Sequence, residues 1–309
     1  NIFWQIGHEL KICDIENANG ITITSKSGKS YVDLESGVWC TPLGHCHPQV
    51  NQAIKEQLDS ITHTGYCYAH PVIQKTAQML LDITGLNTGK CLFLLSGSEA
   101  VEVGVKAIQS TIDKPYILTF HDSFLGSLGS SGKRPENEWI LFDWSVCRTC
   151  DKDMECGTDC AHFNTIPFTR ISGFVFEPGS ASGMVKFPPE KIVRQIVKHI
   201  QNSGGAVQVN EITTGIGRTG KWFGFQHYEI KPDIVSLGKG LGNGYPVSAA
   251  IFNSKMIKQM DDHDFYHSQS HQNDPLGCAA ARAVIETIHK EDLLDQCIEK
   301  GRYLLQQLN

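Results

Sequence analysis

From residue 91 onward, short runs that are apolar at odd and even positions alike recur between helical patterns: 91–95, 116–120, 173–177, 206–209, 234–237 and 248–252. A strand with one wet face would alternate apolar and polar residues, so these strands are covered on both faces. Helices separate them. Residues 189–201 place Ile192, Ile196 and Ile200 on one face, and 276–288 and 293–308 read as two further helices. Strands of this kind with helices between them predict an α/β fold built on a mostly parallel sheet sandwiched by helices. Ahead of it, 21–24 and 31–34 alternate around Gly28 as a hairpin, Pro48 opens a helix carrying Val50, Ile54 and Leu58, and Pro71 opens another that stops near Gly85.

Composition excludes several classes. The 309 residues are 40% apolar and 19% charged, with a net charge of −6. That is ample for a core and too acidic for a dedicated nucleic-acid binder. No apolar run reaches the roughly 18 residues of a membrane span, and the N-terminus lacks a signal-peptide pattern. The 11 cysteines, an odd number, predict a reducing, cytoplasmic compartment. The chain starts without methionine and ends inside a helical pattern, which reads as a piece of a longer protein.

Ligands of open α/β sheets bind beyond the carboxyl ends of the strands, and four such ends here carry reactive or small polar residues. Ser96-Gly97-Ser98 lies between a strand and a helix, where free N–H groups, a glycine and two hydroxyls suit a phosphate as well as an ordinary N-cap. Asn210-Glu211 ends a second strand. Lys239 follows a third, between Gly238 and Gly240, where desolvation would lower its pKa and suit Schiff-base formation. Phe120-His121 ends the fourth, where an aromatic can cover a flat ring or simply sit in the core. A phosphate seat, a ring-covering aromatic, a polar group for a ring nitrogen and a Schiff-base lysine are together the parts of a pyridoxal phosphate (PLP) site.

The sequence resembles the class III aminotransferases, of PLP fold type I. The resemblance spans about residues 20–308 and includes Y-V-D-L-E-S-G at 31–37, L-G-H-C-H-P at 43–48, S-G-S-E-A at 96–100, F-H at 120–121, E-P at 177–178, E-I-T-T-G-I-G-R-T-G at 211–220, P-D-I-V-S-L-G-K-G-L-G-N-G-Y-P at 232–246 and D-P-L-G-C-A-A-A at 274–281. It implies that Lys239 forms the Schiff base and shuttles the substrate Cα proton. It also implies that Gly97 and Ser98 bind the phosphate, that Phe120, beside His121, and Ile212 cover the two ring faces, and that residue 210 faces the ring nitrogen. By the same resemblance Ser270 reaches the phosphate of a neighbouring subunit, giving a homodimer with shared sites, and Trp39 lies near the substrate pocket. The implied domains are an N-terminal segment at 1–46, a large PLP-binding domain at 47–275, and helices at 276–309 leading to a small domain.

Three positions depart from the family pattern. Asn210 stands where an aspartate would hold a proton on the ring nitrogen. A charge-assisted hydrogen bond is worth about 1.5–3 kcal/mol against about 0.5–1.5 for a neutral one, so the ring becomes a weaker electron sink. Thr213 replaces a glutamine that reaches the cofactor's 3′-oxygen. Ser182 occupies the position of a glutamate that helps the family accept glutamate and 2-oxoglutarate. A Cys-rich insert at 144–163, with Cys147, Cys150, Cys156 and Cys160, lies outside the pattern altogether. Two close pairs of thiols fit tetrahedral structural zinc, with an iron–sulfur cluster or four free thiols as alternatives.

The expected activity is transfer of an amino group from an amine or amino acid to a 2-oxo acid. A PLP-dependent epimerase or decarboxylase, and a weakly active PLP-binding scaffold, are the alternatives.

Overall fold

The computed structural model describes residues 10–65, 67–150, 156–157, 160–181 and 185–308. Ser182 and its implied role lie outside the described residues. Seven strands form the central sheet: β4 (Lys90–Leu94), β5 (Tyr116–Phe120), β6 (Trp139–Phe142), β7 (Ile171–Phe176), β8 (Ala206–Asn210), β9 (Ile234–Leu237) and β10 (Ser248–Phe252). Their order is β4-β10-β9-β8-β7-β5-β6. Only β10 runs against the others, pairing antiparallel with β4 and β9. The carboxyl ends of β4, β5, β7, β8 and β9 therefore open on one edge.

Both faces of the sheet are buried. On one lie Phe93, Phe174, Phe176, Val207 and Val235 with the helix Glu190–Asn202; on the other, Leu94, Ile117, Val175 and Ile234 pack on the helix Gly97–Thr111. The helices carry their own boundary signals. Pro71–Thr84 starts on a proline with His70 Nδ1 accepting from Val72 N–H, and ends on left-handed Gly85. Gly97–Thr111 starts on a reciprocal capping box between Ser96 and Glu99.

The structure adds elements that the sequence pattern did not reveal. The expected hairpin belongs to a three-stranded antiparallel sheet of β1 (Ile15–Asn19), β2 (Thr22–Ser25) and β3 (Ser30–Val32). Strand β6 is the parallel edge beside β5, a four-residue strand too short to show a period. Ser36–Trp39 forms a single left-handed turn, with φ between 53° and 64° at all four residues.

Candidate active site

The residues that follow four of the parallel strands converge on a cavity of about 150 Å³. Gly97 and Ser98 follow β4, Glu177 follows β7, Asn210 and Ile212 end β8, and Lys239 follows β9; Phe124 and Gly126 enter from the loop after β5. A larger cavity of about 540 Å³ adjoins it, sharing Thr213 and lined also by Trp39, Phe187, Arg218 and Tyr228.

Lys239 sits in the left-handed region at φ 40°, a conformation that a non-glycine residue holds only when its surroundings enforce it. Its Nζ donates to Thr213 Oγ1 at 3.1 Å and stands 5.0 Å from the centroid of the Trp39 ring. Burial holds its amine below the usual lysine range, against the smaller opposing pull of the Glu177 charge. Glu177 Oε2 accepts from Phe124 N–H at 2.7 Å and Ala181 N–H at 3.2 Å. Burial nevertheless pushes its carboxyl up to about 7. Glu211 points away from the cavity. Its oxygens accept from Thr214 Oγ1 and from the Gly224 and Phe225 N–H groups, and burial pushes it to about 7 as well.

Glycine at position 97 is a steric requirement, since a Cβ there would lie 2.8 Å from Ile212 Cδ1. Gly97 and Ser98 thus occupy the first turn of a helix, whose leading N–H groups lack intrahelical partners, with Ile212 wedged against them. Ser98 Oγ accepts from Ser127 N–H at 3.1 Å and ties this turn to the loop after β5.

Gly97, Ser98, Asn210, Ile212, Thr213 and Lys239 are therefore brought together as the sequence predicts. Phe120 is not. Its side chain is 1% exposed and packs edge-on against Phe174 and Phe176, with ring centroids 5.2 and 5.8 Å away. As the last residue of β5 it lies, like Leu118 two residues earlier, on the face of the sheet that carries Phe174 and Phe176. His121 points to solvent beside Asp143, at 3.4 Å. The aromatic on the cavity wall is Phe124, 48% exposed, carried there as the loop turns back at Gly126 with φ 93°. The pairing of an aromatic with a glycine two residues later was its sequence signal. Glu177, the glutamate of the E-P motif, lines the cavity as well.

Ser270 is exposed in the loop ahead of the helix Pro275–Lys290 and does not line the cavity. Cys147, Cys156 and Cys160 are half-buried against the core beside Phe163, while Cys150 is exposed. Among the described residues, His63, His271 and Asp274 form a group of metal-type side chains with ligand atoms all within 4.8 Å of one another.

The aminotransferase class-III family model matches residues 5–132 and 153–309. The chain belongs to this family. It is 31% identical to an acetylornithine aminotransferase of Halalkalibacterium halodurans over 296 residues, 96% of this chain and 76% of that protein. It is 27% identical to an alanine/serine racemase of Pyrococcus horikoshii over 94% of this chain and 66% of that one. Its fold matches an S-selective transaminase from Arthrobacter sp., solved with alanine bound, at a TM-score of 0.89 and 24% identity, covering 99% of this chain and 74% of that chain. This aminotransferase accordingly uses PLP to move an amino group between an amine or amino acid and a 2-oxo acid. Residues 133–152, with Cys147 and Cys150, fall outside the family match.

Proposed function

We propose that Lys239 is the residue that holds PLP in this aminotransferase, with Gly97 and Ser98 on the phosphate, Ile212 against one face of the ring and Phe124 against the other. The donor set fits the cofactor. A half-buried amine, the open first turn of a helix and an aromatic wall meet in one cavity, beside a residue 97 that has no room for a Cβ against Ile212. When bound, PLP supplies an electron-withdrawing ring that takes up and returns the amino group. The chain supplies the proton handling. The depressed pKa of Lys239 leaves more of it neutral near pH 7, able to accept and return a proton at the substrate Cα. Thr213 Oγ1 orients that amine, and Trp39 closes the side toward the larger cavity.

The observation that carries this assignment is the half-buried Lys239 amine on the cavity wall, held there by a strained backbone at φ 40°. Borohydride reduction of the PLP-loaded protein followed by peptide mapping tests it. The label is expected on Lys239 and absent from Lys239→Ala, with the variant still folded. A label on any other lysine overturns the assignment.

Three further readings rest on other observations. Ser270 is exposed and does not line its own chain's cavity, which supports a homodimer in which Ser270 serves the neighbouring phosphate. The odd number of cysteines, 11, in a chain long enough to need no disulfide framework supports a reducing, cytoplasmic setting. The spacing of Cys147, Cys150, Cys156 and Cys160, with three of them packed against the same core cluster, supports a structural metal held by four thiolates, for which zinc is the reading. Elemental analysis is expected to find one zinc per chain, lost on Cys150→Ser; a metal-free protein ends that reading.

A further inference from the structure

Asn210 is 3% exposed at the end of β8, and both ends of its amide are engaged. Nδ2 donates to the carbonyl oxygen of Phe124 at 3.0 Å, and Oδ1 accepts from Ile212 N–H at 3.1 Å. The two contacts agree on which end is nitrogen. Reversing the amide would set oxygen against carbonyl oxygen at one end and N–H against N–H at the other. The Phe124 N–H is held in turn by Glu177 Oε2 at 2.7 Å. The main chain of Phe124 is thus gripped from both sides, its N–H by the residue after β7 and its C=O by the last residue of β8.

We propose that Asn210 is a positioning residue for the aromatic wall: its amide, unlike a carboxylate, locks the Phe124 peptide and so fixes the ring that covers the cofactor. An aspartate has nearly the same shape, yet an ionised one has no hydrogen to give. It would place an anionic oxygen about 3 Å from the Phe124 carbonyl oxygen. Asn210→Asp therefore does not simply restore the charge that the family places on the ring nitrogen. It releases the loop after β5 at the same time. Asparagine here is matched to the loop it holds, which bears Leu125 and Gly126 after Phe124.

The role toward the cofactor rests on the PLP assignment above; the clamp itself does not, so the first measurement uses cofactor-free protein. Amide hydrogen exchange is followed at pH 8 in the parent, Asn210→Asp and Asn210→Ala, with peptides of β4 and β10 as the reference for global stability. Exchange at residues 123–127 is expected to speed up about threefold or more in Asn210→Ala and at least about tenfold in Asn210→Asp, with the reference peptides unchanged. The second measurement, on PLP-loaded protein, is the induced circular dichroism of the bound cofactor. It is expected to weaken in Asn210→Asp and to follow the loss of protection. Unchanged exchange at 123–127 in a folded Asn210→Asp overturns the clamp. Released exchange with an unaltered dichroism signal overturns its role in fixing the ring. Should Asn210→Asp fail to fold, Asn210→Ala alone decides, because it removes the donor without adding the repulsion.

Discussion

Glu177 brings a carboxyl into a wall that also holds the Lys239 amine, and burial outweighs the two N–H groups that would favour its ionised form. Its folded pKa of about 7 stands above the ordinary 4.5, so the folded state binds a proton that the unfolded chain has released. The stability this contributes is full below about pH 4.5 and is lost as pH rises through about 7. Glu211 titrates over the same range, so the parent curve alone does not isolate either group. The comparison with Glu177→Gln does, because glutamine keeps an oxygen for the Phe124 and Ala181 N–H groups and never ionises. Thermal unfolding of cofactor-free protein is expected to show the variant gaining on the parent from pH 5 to pH 7.5, a gain of the order of 1–2 kcal/mol after solvent relaxation. Parallel curves for the two proteins would place the Glu177 carboxyl in a wetter setting. At this scale the sequence was legible where chemistry and spacing coincide. A lysine between glycines after an apolar strand has few other uses. Phe120 was misplaced because a strand-end aromatic can face the core or the ligand, and one strand's pattern does not say which face the core claims. That choice was made by Phe174 and Phe176 on the neighbouring strand.

The left-handed turn Ser36–Trp39 shows an element built against local preference. Left-handed backbone costs about 1–2 kcal/mol per non-glycine residue, and three of the four residues here are not glycine. The compensation is visible. Asp33 Oδ1 accepts from Glu35 and Ser36 N–H at 2.9 and 3.0 Å, and Oδ2 accepts from Gly37 N–H at 3.2 Å. His45 Nε2 stands 2.7 Å from the same Oδ2 and is the chief reason that the Asp33 carboxyl lies below its ordinary range. At the far end, Arg218 Nη2 donates to the Trp39 carbonyl at 2.7 Å. The product is the Trp39 ring against the Lys239 amine. Asp33→Ala is expected to let residues 34–41 relax into right-handed or extended backbone, with faster amide exchange there and a loss of about 1–3 kcal/mol. If the larger cavity that Trp39 lines takes the amino donor, its Michaelis constant should rise more than the turnover number falls. Exchange at 34–41 unchanged in the variant would show the turn to be held from elsewhere. Nothing in the hydrophobic pattern announces such a turn, because its information lies in one carboxylate bonded to three successive peptides. The longer helices, whose caps and periodicity are local, were legible for the opposite reason, whereas the nine-residue helix Ser254–Asp262 was not.

At the scale of the whole molecule, the parallel sheet sets strand ends from distant stretches of chain on one edge, so residues 97, 177, 210 and 239 meet without being near one another in sequence. Ser270, implied to bind the cofactor of a neighbouring subunit, is left off that edge, exposed on its loop. If it completes the site of a second copy, each site takes Lys239 from one subunit and Ser270 from the other, and the two substitutions must complement. Ser270→Ala removes one hydroxyl donor to a phosphate, a charged hydrogen bond worth about 1.5–3 kcal/mol, so PLP should bind about tenfold or more weakly to that variant. Lys239→Ala lacks the covalent attachment at both sites. Subunits of the two variants, unfolded together and refolded as a mixture, form mixed dimers with one site that lacks both groups. The other site has Lys239 from the first subunit and Ser270 from the second. Equilibrium dialysis should then find a population of sites with parental affinity, up to one per mixed dimer, that neither variant has alone. A serine acting within its own chain gives the opposite result, because every Lys239-bearing subunit in the mixture carries the Ser270→Ala change. Binding equal to the average of the two separate variants would therefore reject the shared site, and sedimentation of the same samples distinguishes that outcome from a failure to form mixed dimers.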